Sequence, residues 1–356
     1  MTEYDYANAR LRAMRSRLLP ATTLADLATL TDVTALLNAL TRTPYREAVE
    51  LALAKQTGLA ALREALQADL YSRLRRAGRF FCDGAAELAA LALSRFDLEN
   101  LKAVLRGLTQ GLAPEAITGA LIPAGTIPPS DWLTLAQTGN PRGAIDLLAT
   151  WRLPLAAPLL ELRASQPGAS PLQLELALER WQFARLTARR EAAARPLQTL
   201  AHLTADIANT MTVMRLAGLP GKAAFLAQHF GDQAVAGLLV GPGRIPFSQL
   251  TLAAGQETVE GAVASLQDSA LGEPLRAGLA RYRATGQLSG LERELGRHQL
   301  GLARRFFVSA AGNIGVFLGY LLLSQNEAAN LRRIGYGLDL RQPAVEIQAD
   351  LLLELT

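Results

Sequence analysis

The side chains that most often coordinate metals or attack substrates are few and scattered in this chain. His202, His229 and His298 lie far apart in the sequence, and no two of them have the spacing of a helical metal-binding pair. Cys82 is the only cysteine, so it completes no metal cluster and forms no intrachain disulfide. We therefore expect no metal site, and we expect the reducing setting of the cytoplasm.

Two glycine-rich segments come nearest to a phosphate-binding loop, and both lack required residues. The segment GLPGKAA (218–224) has Leu216 where a P-loop needs its first glycine and Ala223 where it needs a Ser or Thr for magnesium. The segment GPGRIP (241–246) has proline in place of the last glycine of a dinucleotide-binding turn. No G-x-S-x-G turn occurs. The sequence thus predicts no catalytic residue and no cofactor-binding residue.

A more regular signal is a short loop that the chain repeats. Gly125 and Ile127 of the second copy align without a gap on Gly243 and Ile245 of the third. The repetition indicates duplicated structure rather than a chance turn. The three copies are LLPATTL (18–24), LIPAGTI (121–127) and LVGPGRI (239–245).

A second repeated pattern is an acid, then an asparagine three residues later, then an apolar and basic stretch that runs into glycine. Ser94-x-x-Asp97 and Ser324-x-x-Glu327 resemble capping boxes, which predicts helices of about three turns that begin near these residues and end in a glycine cap. The copies are DLENLKAVLRG (97–107), DIANTMTVMRLAG (206–218) and EAANLRRIGYG (327–337).

The asparagines of this pattern, Asn100, Asn209 and Asn330, would lie in the second turn of each helix. A buried amide must be hydrogen-bonded, so in this position it most often binds the backbone of a neighbouring loop. Direct contact with a partner is the alternative reading.

The elements that carry these patterns are predicted to be helices. The segments between prolines are rich in Leu, Ala, Arg, Glu and Gln, and no run of alternating β-branched residues indicates a strand. The chain is therefore expected to be all-α. The repeats predict three similar helical domains, residues 1–120 (with an N-terminal helix), 121–238 and 239–356.

One apolar segment, FFVSAAGNIGVFLGYLLLSQ (306–325), is about as long as a membrane span. It carries no formal charge, but polar residues interrupt it and the chain has no second candidate span. We interpret it as a buried helix of the core.

The charge pattern argues against a nucleic-acid surface. The net charge is +4, and the basic residues are scattered among 32 acids. A patch that faces acidic protein or lipid headgroups stays open. Arginine clusters follow similar helical segments in each repeat; a solvated helix face is one reading, and binding of an acidic partner or a helix end is the other.

With these residues in view, the chain resembles the C subunit of the bacterial and archaeal V-type ATPases, which is homologous to the eukaryotic d subunit. The resemblance spans essentially the whole chain. It rests on YDYANARLRAMRSRLL (4–19), RFDLENLKAVLRG (95–107) and GYLLLSQNEAANLRRIGYGLDLRQPAVEIQADLLL (319–353).

The resemblance implies an all-helical funnel of three domains around a pseudo-threefold axis. Such a protein has no catalytic site and binds no cofactor. It is present in a single copy, at the cytoplasmic face of the membrane, between the central shaft (the D and F subunits) and the proteolipid ring. It would pass torque between ATP chemistry and ion movement, reaching the membrane only through the ring.

Polar, arginine-bearing surfaces would suit contact between a pseudo-threefold adaptor and a ring of different symmetry. A generic helical scaffold with an unrelated partner, and an enzyme with an unrecognised site, remain the alternatives. The partner-interface candidates are Arg10, Arg12, Arg75, Arg76, Arg189, Arg190, Arg304 and Arg305.

Overall fold

The computed structural model describes residues 3–309 and 312–353. Over these residues the regular structure is helical throughout and contains no strand, which confirms the all-α class. The chain divides into two compact units. The first consists of Met1–Pro141 together with Ala303–Thr356, and the second of Arg142–Leu302.

The first seven helices lie in the first unit, and two of them illustrate the start signals that the sequence offers. Asp32 caps one of them, since its side chain accepts a hydrogen bond from Ala35 N at 2.8 Å. The last of the seven begins with Pro114, which needs no hydrogen-bond partner at that position. The helices are α1 (Asp5–Arg15), α2 (Ala21–Leu27), α3 (Val33–Leu40), α4 (Arg46–Leu53), α5 (Gly58–Gly78), α6 (Asp83–Thr109) and α7 (Pro114–Thr118).

The next six helices follow the second copy of the loop. Ser170 and Gln173 form a capping box, in which each side chain bonds the backbone of the other. The helices are α8 (Pro129–Ala136), α9 (Pro141–Thr150), α10 (Ala156–Ser165), α11 (Pro171–Thr187), α12 (Arg195–Ala217) and α13 (Lys222–Phe230), with 3₁₀ turns at Ala192–Ala194 and Gly231–Leu238.

The last six helices follow the third copy of the loop. Thr258 caps one of them by accepting a hydrogen bond from Gly261 N at 3.1 Å. The helices are α14 (Phe247–Gly255), α15 (Val259–Ser265), α16 (Gly272–Thr285), α17 (Ser289–Ser309), α18 (Gly315–Asp339) and α19 (Ala344–Asp350).

The order of helix lengths recurs along the chain. Three helices of at most 14 residues precede two of at least 17 in α2–α6, in α8–α12 and in α14–α18. We refer to α6, α12 and α18 as the closing helices. The domain boundaries 1–120, 121–238 and 239–356, and the pseudo-threefold arrangement, stay predictions.

The closing helices are much longer than the capping-box interpretation predicted. Ser94 lies in the middle of α6, and its hydroxyl donates to Leu91 O at 2.8 Å instead of capping a helix start. Ser324 likewise lies inside α18. The predicted glycine caps are also wrong at Gly107 and Gly337, which are helical and leave room for the side chains of Ile117 and Ile347.

The apolar segment 306–325 is two helices and not the single buried helix that the sequence suggested. α17 ends at Ser309 and α18 begins at Gly315. Asn313 Oδ1 accepts a hydrogen bond from Gly315 N at 2.8 Å, and Gly312 has φ +70°. Residues 310 and 311 of the segment lie outside the described residues. Among the helices described, none combines the length and the apolar character needed to span a bilayer.

Each core draws on a closing helix. In the first unit, Leu331, Ile334 and Leu338 of α18 pack with buried residues of α2–α5. In the second unit, Val213 and Met214 of α12 pack with buried residues of α14–α17. Burial of these apolar side chains is the main term that holds the short helices on the long ones.

Candidate functional site

The repeated acid and the repeated loop bind each other. In the first unit, Asp97 on α6 accepts hydrogen bonds from Thr126 N at 2.7 Å and Ile127 N at 3.2 Å. The Thr126 hydroxyl donates to the same carboxylate at 2.8 Å. Gly125 faces the carboxylate so closely that a Cβ atom would collide with it. The glycine of the loop is therefore the residue that lets the acid approach the backbone.

Asn100 completes this contact one turn further along α6. Its Nδ2 donates to Ile122 O at 2.9 Å, and its Oδ1 accepts from Ile122 N at 2.9 Å. One amide thus satisfies both backbone groups of a loop residue, which is the structural role that the sequence favoured. We call this pairing of acid, asparagine and loop an anchor.

The second unit contains a matching anchor on α12. Asp206 accepts hydrogen bonds from Arg244 N at 2.9 Å and Ile245 N at 3.0 Å. Asn209 donates to Gly241 O at 3.0 Å and accepts from Val240 N at 2.8 Å. A Cβ atom at Gly243 would collide with the carboxylate, as at Gly125.

The third anchor, on α18, departs from this pattern. Asn330 bonds both backbone groups of Leu352, at 2.9 and 3.0 Å, so the loop that it holds is the segment after α19. Glu327, which is one methylene longer than aspartate, instead accepts a hydrogen bond from Leu19 N in the first copy of the loop. This anchor therefore ties α18 to the first copy of the loop and to the segment after α19.

Glu327 also belongs to a buried cluster that the sequence did not reveal. The Tyr45 hydroxyl donates to Glu327 Oε1 at 2.7 Å, and Arg73 Nη1 lies 2.8 Å from the same oxygen. Arg73 Nε lies 2.6 Å from Asp69 Oδ2, and the guanidinium stands over the Tyr45 ring at 4.5 Å. The side chains of Arg73 and Glu327 are only 13% and 4% exposed. Four elements are joined here, namely the first loop, α4, α5 and α18.

Burial shifts the pKa of three aspartates in these sites, Asp69, Asp97 and Asp206. Loss of hydration raises the pKa of Asp69 to about 6, although Arg73 opposes the shift. Burial also raises the pKa of Asp97 and Asp206. The hydrogen bonds that these carboxylates accept from backbone N–H groups oppose this shift and only partly offset it. The pKa of Tyr45 lies well above its usual value because the ring is buried and faces Glu327.

These clusters do not have the composition of a catalytic or metal centre. The bonds of the three anchors are directed at backbone groups, and the Glu327 cluster is a charge-paired set of acid, arginine and tyrosine. Over the described residues, no group of three or more His, Cys, Asp and Glu side chains could hold a metal ion.

The predicted interface arginines lie in several places. Arg10 and Arg12 are on α1, Arg75 and Arg76 are near the end of α5, and Arg304 and Arg305 are near the end of α17, all within the first unit. Arg10, Arg12, Arg76, Arg304 and Arg305 are exposed, whereas Arg75 is half-buried over the Tyr71 ring.

The remaining two candidates belong to the second unit, just after α11. Arg189 is half-buried and pairs with Glu191 at 2.6 Å, and Arg190 is exposed. Whether any of the eight arginines contacts a partner stays a prediction.

The described residues thus define an all-helical protein in which buried polar side chains hold loops on long helices, and comparison with known proteins identifies its family. The family described as ATP synthase (C/AC39) subunit matches residues 7–349, and the chain belongs to this family. The family comprises the C subunit of ATP synthases, a non-catalytic subunit, which agrees with the prediction that the chain is not an enzyme.

Individual relatives carry related names. The chain is similar to the C subunit of the V-type ATP synthase of Deinococcus radiodurans, with 32% identity over 43% of this chain and 44% of that protein. It is similar to the C subunit of the A-type ATP synthase of Methanocaldococcus jannaschii, with 23% identity over 94% of this chain and 82% of that protein. The corresponding A-type protein of Halobacterium salinarum is 26% identical over 87% of this chain and 86% of that protein. The aligned part thus spans less than half of the Deinococcus protein and most of the two archaeal ones.

Proposed function

We propose that the chain is a rotor subunit that joins a central shaft, made of the D and F subunits, to the proteolipid ring of a rotary ATPase. It would transmit torque between ATP hydrolysis or synthesis and ion translocation. The match of the C/AC39 family over residues 7–349 carries this proposal. In this role one copy lies at the cytoplasmic face of the membrane and reaches the membrane through the ring.

The anchors support a torque-bearing role. A subunit that transmits torque must be rigid, whereas loops are usually the most mobile segments of a domain. Here Asp97 and Asp206 fix their loops to long helices through backbone hydrogen bonds, and Glu327 fixes another through a buried charge cluster. The helical cores beside these anchors are also suited to transmit strain, because close-packed protein interiors have low compressibility.

A pull-down from native membranes in a gentle detergent tests the proposal. The tagged chain should recover the ATPase head, the shaft subunits and the proteolipid together, as identified by mass spectrometry. Recovery of the chain alone, from cells shown to contain the ATPase, would contradict the rotor role and favour a generic helical scaffold with another partner.

Charge reversal tests the predicted interface arginines. The variants Arg75→Glu/Arg76→Glu and Arg189→Glu/Arg190→Glu should each lose the shaft or the ring from the recovered complex, because like charges would then meet across the interface. Arg42→Glu/Arg46→Glu is the matched control, since both arginines are exposed and Arg46 pairs only at the surface with Glu50. A complete complex with both test variants would rule these positions out.

A further inference from the structure

The second unit has an open groove between α11 and the third copy of the loop. The groove encloses about 620 Å³, and its lining residues belong to the second unit. One wall is the side of α11 that carries Arg180, Phe183, Ala184 and Ala188, whose spacing of three and four residues places them on one helix face. Ala184 and Ala188 are small and exposed, so this wall is low and open to solvent. We call this cavity the α11 groove.

A second wall of the groove is apolar. It consists of Leu239, Val240 and Pro242 of the loop and of Phe247, the first residue of α14. Phe247 is 37% exposed, and Pro242 is exposed as well. Exposed apolar side chains around a groove gain free energy when a partner removes them from water, which is typical of an interaction surface.

The backbone of the loop wall is largely occupied by bonds within the second unit. Leu239 O accepts a hydrogen bond from Arg180 Nε at 3.0 Å. Asn209 accepts from Val240 N at 2.8 Å and donates to Gly241 O at 3.0 Å. An extended segment binds by pairing with free backbone groups, and these groups are already used. A helix satisfies its own backbone hydrogen bonds and needs only side-chain contacts, so it is the occupant that this wall suits.

The groove carries positive charge and, in the part of the chain that the structure describes, has no acidic lining residue. Arg180 donates from Nε and Nη2 to backbone carbonyl oxygens, and these neutral acceptors leave the charge of the guanidinium uncompensated. Burial lowers the pKa of Arg180, because loss of hydration disfavours the charged form. Arg190 also lines the groove, is exposed and forms no ion pair with a described residue, while the adjacent Glu191 pairs with Arg189 at 2.6 Å. Carboxylates brought by a partner would therefore stabilise both guanidinium groups.

We infer that the α11 groove binds an amphipathic helix of a partner protein, with apolar side chains facing the groove and acidic side chains beside them. The apolar wall fits the apolar face of such a helix, and the charges of Arg180 and Arg190 fit its carboxylates. The inference goes beyond the rotor role, because it defines the chemistry of an occupant and does not require that the occupant be the shaft or the ring.

Photocrosslinking of the full chain in its own cells tests the inference. The photoreactive residue p-benzoylphenylalanine replaces Ala184 in one variant and Phe247 in another, so that each wall of the groove carries a probe. Mass spectrometry should find both probes attached to the same partner segment, with apolar residues three or four positions apart and aspartate or glutamate beside them. The control places the probe at Ala280, which is exposed on α16 and lies outside the groove, and it should not label this segment.

Charge reversal tests the role of the arginines in the same assay. Arg190→Glu should lower the crosslinking yield from Phe247 by at least about tenfold, because like charges would then meet. Arg276→Glu, which reverses an exposed charge on α16, should leave the yield unchanged. Replacement of the partner's labelled acid by arginine should restore the yield with Arg190→Glu, which a merely unfolded variant would not show.

Several outcomes would overturn the inference. They are crosslinks to no segment, to a second copy of the chain or to a segment without acidic residues, and equal yields from Arg190→Glu and Arg276→Glu. Recovery of the whole ATPase by pull-down, together with an empty groove, would refute the helix contact and leave the rotor proposal standing. An acidic helix from a protein outside the ATPase would support the groove, and the pull-down would still decide the rotor role.

Discussion

Arg73 on α5 and Glu327 on α18 form a buried ion pair across 254 residues of sequence, with Nη1 and Oε1 2.8 Å apart. The pair stands at the point where the closing helix of the chain meets the first helices. Glu327 is one of two acids that pair with Arg73, the other being Asp69 on the preceding turn of α5.

The variant Glu327→Gln should lower the free energy of unfolding by roughly 1–3 kcal/mol, because Arg73 loses one of its two acidic partners and Leu19 N loses a charged acceptor. The amide can still accept a hydrogen bond from Tyr45, and Asp69 still pairs with Arg73. Urea unfolding measures the loss. Glu50→Gln is the control, because Glu50 pairs with Arg46 on the surface and its loss should change stability by less than about 0.5 kcal/mol. Equal losses in the two variants would show that the buried cluster has no special role in stability.

The two aspartate anchors should respond alike although they lie in different units. Asp97→Ala and Asp206→Ala each leave two backbone N–H groups without an acceptor, which should cost roughly 2–5 kcal/mol. Hydrogen exchange should also accelerate locally, at Thr126 and Ile127 in the first variant. Exposed Asp26 provides the control, since Asp26→Ala should leave stability and exchange nearly unchanged. Slow exchange at Thr126 in Asp97→Ala would refute the anchor.

Gly125→Ala should destabilise the protein by roughly 1–3 kcal/mol, because the new methyl group would collide with the Asp97 carboxylate. Gly168→Ala is the matched control, since no atom lies within 4 Å of a Cβ there. The collision also predicts coupling: the alanine should cost less in an Asp97→Ala background than in the wild type. Strictly additive costs in the double variant would mean that the carboxylate is not what excludes the methyl group.

Asp69 should make part of the stability depend on pH. Burial raises its pKa to about 6 in the folded chain, above the value of 3.8 for the free group. Between these values the folded state holds more protons than the unfolded state, so the contribution of Asp69 to stability is largest below pH 4 and falls until pH 6. The difference in unfolding free energy between the wild type and Asp69→Asn should change across this window and stay flat above it. A difference that stays constant from pH 4 to pH 6 would contradict the raised pKa.

The repeated loop and the repeated acid–asparagine pattern can both be recognised in the sequence, but the contact between them cannot. The alignment of the loops makes Gly125 equivalent to Gly243, and the second pattern makes Asn100 equivalent to Asn209. The hydrogen bonds between Asp97 and the loop that carries Gly125 are tertiary contacts, which no local sequence pattern predicts. The roles of Tyr45, Asp69 and Arg73 escape sequence analysis for the same reason, because their relation to Glu327 exists only after α4, α5 and α18 have packed.

The misjudged helix boundaries have a different cause. A serine three residues before an acid looks the same at a helix start and in the middle of a helix. At Ser94 the preceding run of alanine and leucine had already begun the helix. In the segment 306–325 the opposite signal was available, since Gly312 and Asn313 favour a break between helices. The side chain of Asn313 does accept a hydrogen bond from Gly315 N, at the first residue of α18.

The packing of α18 into the core of α2–α5 has a consequence for synthesis on the ribosome. Leu331, Ile334 and Leu338 are made long after their partners Leu36, Leu62 and Leu66. The core of α12 and α14–α17 can close before α18 is made, but the first helices must keep an apolar face uncovered until α18 has emerged. The helices of the first core thus complete their packing after helices that are made later, and apolar surface exposed in the meantime favours aggregation.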